Sequence, residues 1–155
     1  NPIDRAYSEW HMFNKSSKFV KNSGNFKTFE EAINDELDNR LNEPPNFYVA
    51  NFHHLQRGLY YKQIKKLLHH FPMQNLLIIL NEDLKNNEKN TYEKIYQFLD
   101  VNIKHCNYEI KLEGKYNKNQ KDKDIHPKLR KKMIDFFKND VKKLEKLLNI
   151  KTNWF

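Results

Sequence analysis

The sequence predicts an α/β layered domain that is mostly helical, with a few parallel strands. Three observations carry this. Apolar residues recur at helical spacing in several separate segments, each with a polar face opposite. One short continuous apolar run, Asn75-Leu76-Leu77-Ile78-Ile79-Leu80, reads as a strand buried on both sides, the pattern of a parallel sheet covered by helices. Helical patterns flank that run on both sides, and helix, buried strand and helix in succession is the order of a layered α/β domain.

The elements follow in chain order. Pro2 suits the first turn of a helix, because its φ is fixed and it has no N–H to satisfy. Ile3, Ala6, Tyr7, Trp10 and Phe13 then make one apolar stripe, while Asp4, Ser8 and His11 share another face. This places a hydroxyl, Ser8, near the positive end of a helix, where phosphate is attracted. The plainer reading of the same pattern is an amphipathic helix with a serine facing water. Residues 14–27 are polar and read as a loop. Thr28-Phe29-Glu30-Glu31 is a capping box, and Phe29, Ile33, Leu37 and Leu41 continue it as a one-sided helix that Asn42-Glu43-Pro44-Pro45 stops. Residues 46–56 are irregular and aromatic. Gly58 stands at the start of the next helix, whose stripe is Ile64, Leu67, Leu68 and Phe71, ended by Pro72.

After the apolar run come Asn81, Glu82 and Asp83, with capping of the following segment as their expected work. Asn90 with Glu93 is expected to cap a helix carrying Tyr92, Ile95, Tyr96 and Leu99. Residues 105–124 read as a weak strand and a long basic loop. Pro127 opens a helix with Leu129, Met133, Phe136 and Phe137 on one face. Asn139-Asp140 is read as the restart of a last helix with Val141, Leu144, Leu147 and Leu148, and the terminal Trp154-Phe155 as packing back on the body.

Composition narrows the function classes. With 38% hydrophobic and 14% aromatic residues the chain can bury a core, which excludes a disordered polymer. No apolar run approaches the length of a membrane span. The formal charge of +8 suits an anionic partner. Cys106 is the sole cysteine, so no intrachain disulfide and no cysteine-based zinc cluster can form, and a reducing, cytoplasmic location is expected. The adjacent pairs His53-His54 and His69-His70 lack the spacing that puts two ligands on one helix face, so no metal is expected.

The opening string Asn1-Pro2-x-Asp4-Arg5-Ala6-Tyr7-Ser8 resembles the Arg-Asn-Pro-x-x-Arg-x-x-Ser motif of sulfotransferases that use 3′-phosphoadenosine 5′-phosphosulfate (PAPS), and looks most like the heparan-sulfate and bacterial carbohydrate branch. Further segments are similar to the same family in the same order. These are Arg57-Gly58-Leu59-Tyr60 with His70-Phe71-Pro72, Leu80-Asn81-Glu82-Asp83-Leu84, and Phe98-Leu99-Asp100-Val101, where aspartate replaces the family's glycine. His126-Pro127 and the terminal tryptophan complete the series.

The resemblance implies a P-loop-NTPase-like sulfotransferase fold and a single, partial domain over residues 1–155. It implies PAPS as donor and an acceptor hydroxyl or amine, expected on a carbohydrate. It carries Ser8 to the cofactor's 3′-phosphate, Tyr116 to the adenine, and Lys121 and Lys123 to phosphate in place of a Lys-Gly-Arg loop that here reads Lys121-Asp122-Lys123-Asp124-Ile125. The motif's first arginine would precede Asn1. The chain is therefore read as the later part of a longer domain, with the phosphate-loop lysine, the glutamate base and the first strand upstream, and no activity is expected of it alone. A related subfamily has a catalytic histidine four residues beyond the motif serine, which here is Met12. His11, one position earlier, points elsewhere on the helix; it is a candidate acceptor-side base, and the plainer reading gives it a structural role. Two alternatives stay open: a non-catalytic basic binder of nucleic acid or another anionic polymer, though nucleic acid is not the expected partner, and a degenerate relative that keeps the fold as an interaction surface.

Overall fold

The computed structural model describes residues 1–15, 28–41, 53–102 and 125–155. They form two compact units, residues 1–65 with 122–155, and residues 66–121. The first unit carries the opening motif and is built on four elements. These are α1 (Pro2–Lys15), α2 (Phe29–Asp35) with a π-helical turn at Glu36–Arg40, a 3-10 turn at Gln56–Gly58, and the long α6 (Pro127–Leu148). Helix α3 (Tyr60–Leu67) follows the 3-10 turn directly.

Asn1 explains why α1 starts where it does. Its side-chain oxygen accepts from the Ile3 amide at 2.9 Å and the Asp4 amide at 3.5 Å, and Pro2 needs no partner. Its amide nitrogen reaches the Trp154 carbonyl at 3.2 Å, which ties the C-terminal segment to the first helix. The capping box on α2 is present in both directions: Glu31 N–H donates to Thr28 Oγ1 at 3.2 Å and Thr28 N–H to Glu31 Oε2 at 3.0 Å. Ile3 and Ala6 of α1 then pack with Phe29 and Ile33 of α2, Leu55, Ile125, and Leu129, Met133, Phe137 and Val141 of α6. Tyr7, Trp10 and Leu37, as their helical spacing predicts, close over this core together with Trp154 of the C-terminal segment, whereas Phe155, expected to pack back with it, is 47% exposed.

Gly58 sits where the backbone passes closest to α6. A Cβ there would stand 2.7 Å and 2.8 Å from the Phe137 ring and 3.0 Å from Pro2 Cβ. The 3-10 turn at Gln56–Gly58 has no side-chain cap from its own N-cap residue, Leu55. Instead, Glu36, 1% exposed, takes the Leu55 amide on both carboxylate oxygens at 2.9 Å and the Gln56 amide at 3.0 Å. Asp140 takes the Tyr61 amide at 2.9 Å. Burial pushes both carboxyls above their ordinary values, and the same amide donors pull them back.

Asp140 also accounts for a correction. The sequence reading broke the last helical stretch at Asn139-Asp140, but α6 runs unbroken to Leu148 and ends on Asn149 in the left-handed conformation (φ 52°, ψ 46°). Asp140 has its side chain turned to α3, so it caps another helix rather than starting its own.

The second unit holds a 3-10 turn (Met73–Asn75), an extended stretch, α4 (Asn81–Asn86) and α5 (Glu88–Phe98). The expected buried strand at 75–80 is extended at both ends (Leu76 φ −119°, ψ 116°; Leu80 φ −76°, ψ 136°) but unpaired, and the described residues contain no β-ladder. Leu77 and Ile78 are each 37% exposed, because burying such a run on both faces needs neighbouring strands. Three smaller expectations also change. Helix α3 stops at Leu67, so Phe71 is half exposed. Helix α5 begins at Glu88, leaving Asn90 inside it. Glu82 and Asp83 lie in the first turn of α4, whose N-cap position is taken by Leu80.

Helix α5 ends in a Schellman pair, with the Val101 amide on the Tyr96 carbonyl (2.9 Å) and the Asp100 amide on the Gln97 carbonyl (3.2 Å). Asp100 has φ 54°, the left-handed conformation that glycine adopts without steric cost, and it replaces the glycine of the resembled Phe-Leu-Gly-Leu segment. Asp100→Gly should raise stability by roughly 0.5 kcal/mol, the relief of the left-handed strain exceeding the greater freedom of glycine in the unfolded chain. A higher urea midpoint with unchanged slope would show it.

Candidate functional site

Helix α1 presents distinct faces, and the opening motif divides among them. Ile3 and Ala6 go to the core, and Pro2 is fully buried beside Gly58. Asn1 caps the helix. Arg5 points at the segment after Glu36: its guanidinium donates to the His54 carbonyl and to Glu9 Oε2, the latter at 3.1 Å. Each of these residues is accounted for by folding. Ser8 is not, since it is exposed and contributes nothing to the core.

Ser8 lies in the second turn of α1, away from the helix end where the sequence reading placed it. The first amides of the helix are already occupied by Asn1, and the field of a helix terminus fades within its first turn. An anion at Ser8 therefore has to be held by side chains. Asp4, one turn back on the same face, pairs with Arg130 of α6, Nη2 to Oδ1 at 3.4 Å. Both side chains are about a third exposed, at 35% and 37%. A hydroxyl and a guanidinium thus stand on one open face of the first unit.

Beside that face is a cluster the sequence did not announce. Glu9 accepts from Arg5, from Arg57 and from His54 Nδ1 at 2.8 Å, and its side chain is 11% exposed. Burial raises its carboxyl, but the His54 hydrogen bond and the Arg5, His54 and Arg57 charges outweigh it and hold the group down at about 2. Both oxygens are engaged and the proton affinity is low, so Glu9 clamps the loop at 53–57 to α1 and is unsuited to accept a proton in catalysis. The spacing of Arg5 and Glu9 was readable as a helix pair, whereas His54 and Arg57 arrive from a distant segment that no local pattern connects to it.

His11 lies edge-on to Tyr7 (4.5 Å between ring centroids) and to Trp10 (4.9 Å), in an aromatic group that includes Phe29. The remaining candidate residues, Tyr116, Lys121 and Lys123, lie outside the described residues, as do Cys106, the weak strand expected after His105 and all of the loop expected at 14–27 except Asn14 and Lys15, which belong to α1 instead. Among the described residues no group of three or more His, Cys, Asp or Glu side chains is arranged to hold a metal, and no helix is long and apolar enough to cross a membrane.

The sulfotransferase domain profile matches residues 1–149. A curated relative, the membrane-associated sulfotransferase kil1 of Dictyostelium discoideum, is 30% identical over 101 residues, which is 64% of this chain. The chain spans about a fifth (20%) of that relative's length. No solved structure matches. With the match running from the Asn-Pro start of α1 through the whole of α6, the chain belongs to the sulfotransferase domain family.

Proposed function

We propose that this chain forms the nucleotide-binding portion of a PAPS-dependent sulfotransferase, with Ser8 as a ligand of the cofactor's 3′-phosphate. The observation that carries the proposal is the division of the opening motif. Asn1, Pro2 and Arg5 are consumed by capping, packing and the Glu9 clamp, while the hydroxyl of Ser8 is left facing outward on a helix whose every other motif residue has a structural task. Family membership supports a nucleotide donor and an acceptor.

In the reaction, the S–O bond to the donor's 5′-phosphate breaks and the sulfuryl group passes to an acceptor hydroxyl or amine, for which a carbohydrate is proposed. The leaving 3′-phosphoadenosine 5′-phosphate keeps the bonding electrons, and the acceptor's proton goes to a base. The work of this chain is positioning: fixing the 3′-phosphate sets the angle at which the 5′ end meets the acceptor. Tyr116 against the adenine, and Lys121 and Lys123 as point charges on the phosphates, complete the proposed nucleotide contacts.

Ser8→Ala in the full-length protein should weaken 3′-phosphoadenosine 5′-phosphate about tenfold, the usual worth of one hydrogen bond to a charged group. It should leave adenosine 5′-phosphate binding unchanged, because that nucleotide has no 3′-phosphate. Titration calorimetry with the two nucleotides measures both, and equal affinity of the variant and the parent for the first would refute the role of Ser8.

A further inference from the structure

The departure of residues 121–125 from a Lys-Gly-Arg pattern leaves that loop with no guanidinium, and a bidentate fork is what distinguishes arginine from lysine on a phosphate. The fold brings one to the same face from elsewhere. Arg130, in the first turn of α6, reaches Asp4 with Nη2, and Asp4 and Ser8 are one helical turn apart on α1. The Asp4 pair uses one corner of the guanidinium at 3.4 Å, with both side chains about a third exposed. Such a pair contributes little to stability, so folding gives a weak reason for its presence. It does keep the guanidinium turned toward α1 rather than into solvent.

Three further features agree. The first turn of α6 contains no acidic residue to compete for an incoming anion. Leu129, the neighbour of Arg130, is 2% exposed and anchors that turn to the core, so the base of the arginine is fixed. Arg5, the other arginine of the motif, turns both terminal nitrogens to Glu9 and the His54 carbonyl, while Arg130 is paired with Asp4 of the Ser8 face.

We infer that Arg130 is a specificity-determining residue for the 3′-phosphate, gripping it together with Ser8 and exchanging its contact with Asp4 for the phosphate oxygens when the nucleotide binds. The inference rests on the assignment of Ser8 to that phosphate. A dianionic phosphate offers two charged acceptors in the plane of the guanidinium, against the one oxygen of the partly exposed Asp4 carboxylate that it now contacts, so the exchange is favourable. The consequence is selectivity: Arg130 separates nucleotides that carry a 3′-phosphate from those that do not.

The test uses the full-length protein and calorimetry with 3′-phosphoadenosine 5′-phosphate and adenosine 5′-phosphate. Arg130→Ala should weaken the first about tenfold to a hundredfold, as the loss of a charge-assisted contact does, and leave the second within about twofold. Arg130→Lys should recover part of the loss, since it restores charge but not the fork. Thermal melting of each variant checks that the fold is kept, which the exposed position of Arg130 favours. If Arg130→Ala binds both nucleotides like the parent while Ser8→Ala is impaired, the role of Arg130 is overturned and the proposed function stands. An equal loss on both nucleotides also overturns it, because it would mean a structural effect. If neither variant is impaired, the Ser8 assignment falls and the inference with it.

Discussion

Glu9→Gln should lower the unfolding free energy near neutral pH by about 3 kcal/mol. The carboxylate is nearly buried among Arg5, His54 and Arg57, and its acid form is disfavoured until about pH 2, against an ordinary value of 4.5. The sign follows from that depression. A carboxyl that ionises more readily in the folded state stabilises the fold fully above 4.5, and the contribution is lost as pH falls from there toward 2. The gap between the two values corresponds to about 3 kcal/mol. Glutamine preserves the shape and one acceptor but strands the surrounding cations. Denaturant midpoints of parent and variant should differ most at neutral pH and converge in acid. A difference that persisted at pH values near 2 would mean that packing, not charge, holds the 53–57 loop on α1.

Phe137→Ala should cost about 3–5 kcal/mol, the usual range for deleting a fully buried aromatic side chain. Gly58→Ala should cost about 1–3 kcal/mol for the opposite reason, overpacking against the same ring. The two changes act on one contact, so they should not add. In the double variant the new methyl group enters space vacated by the ring, and the total should fall short of the sum by at least about 0.5 kcal/mol. Strict additivity in chemical denaturation would show that the close approach of Gly58 to Phe137 is not what selects glycine there.

Much of the first unit was legible because its determinants are local. The capping box at Thr28–Glu31, the stripe of α1 and Pro127 at the head of α6 each fall within one or two helical turns, and the structure has all three. What the sequence obscured is what depends on distant partners. Asp140 looked like a helix start because a short acid after asparagine favours caps, and it does serve as a cap, but for α3. The run at 76–80 has the composition of a central strand, yet only adjoining strands could express it, and the described residues supply none. The Glu9 cluster shows the same limit. Its helix pair can be read from residue spacing, whereas the buried histidine and second arginine depend on a loop whose path spacing does not give. Ser8 is singled out by the motif alone; its position along the helix is the second turn, because Asn1 fills the terminus.

The way Glu36 and Asp140 reach across to Leu55, Gln56 and Tyr61 bears on how the first unit holds together. Both carboxylates come from elements distant in sequence, so these side-chain caps on the turns at 56 and 60 exist only where those elements have met the loop. This stretch is a keystone of the first unit, gripped from both sides by stones that do not adjoin it in the chain. The loop that positions Arg57 against Glu9 of α1 is therefore held by contacts from two other helices as well as from α1 itself.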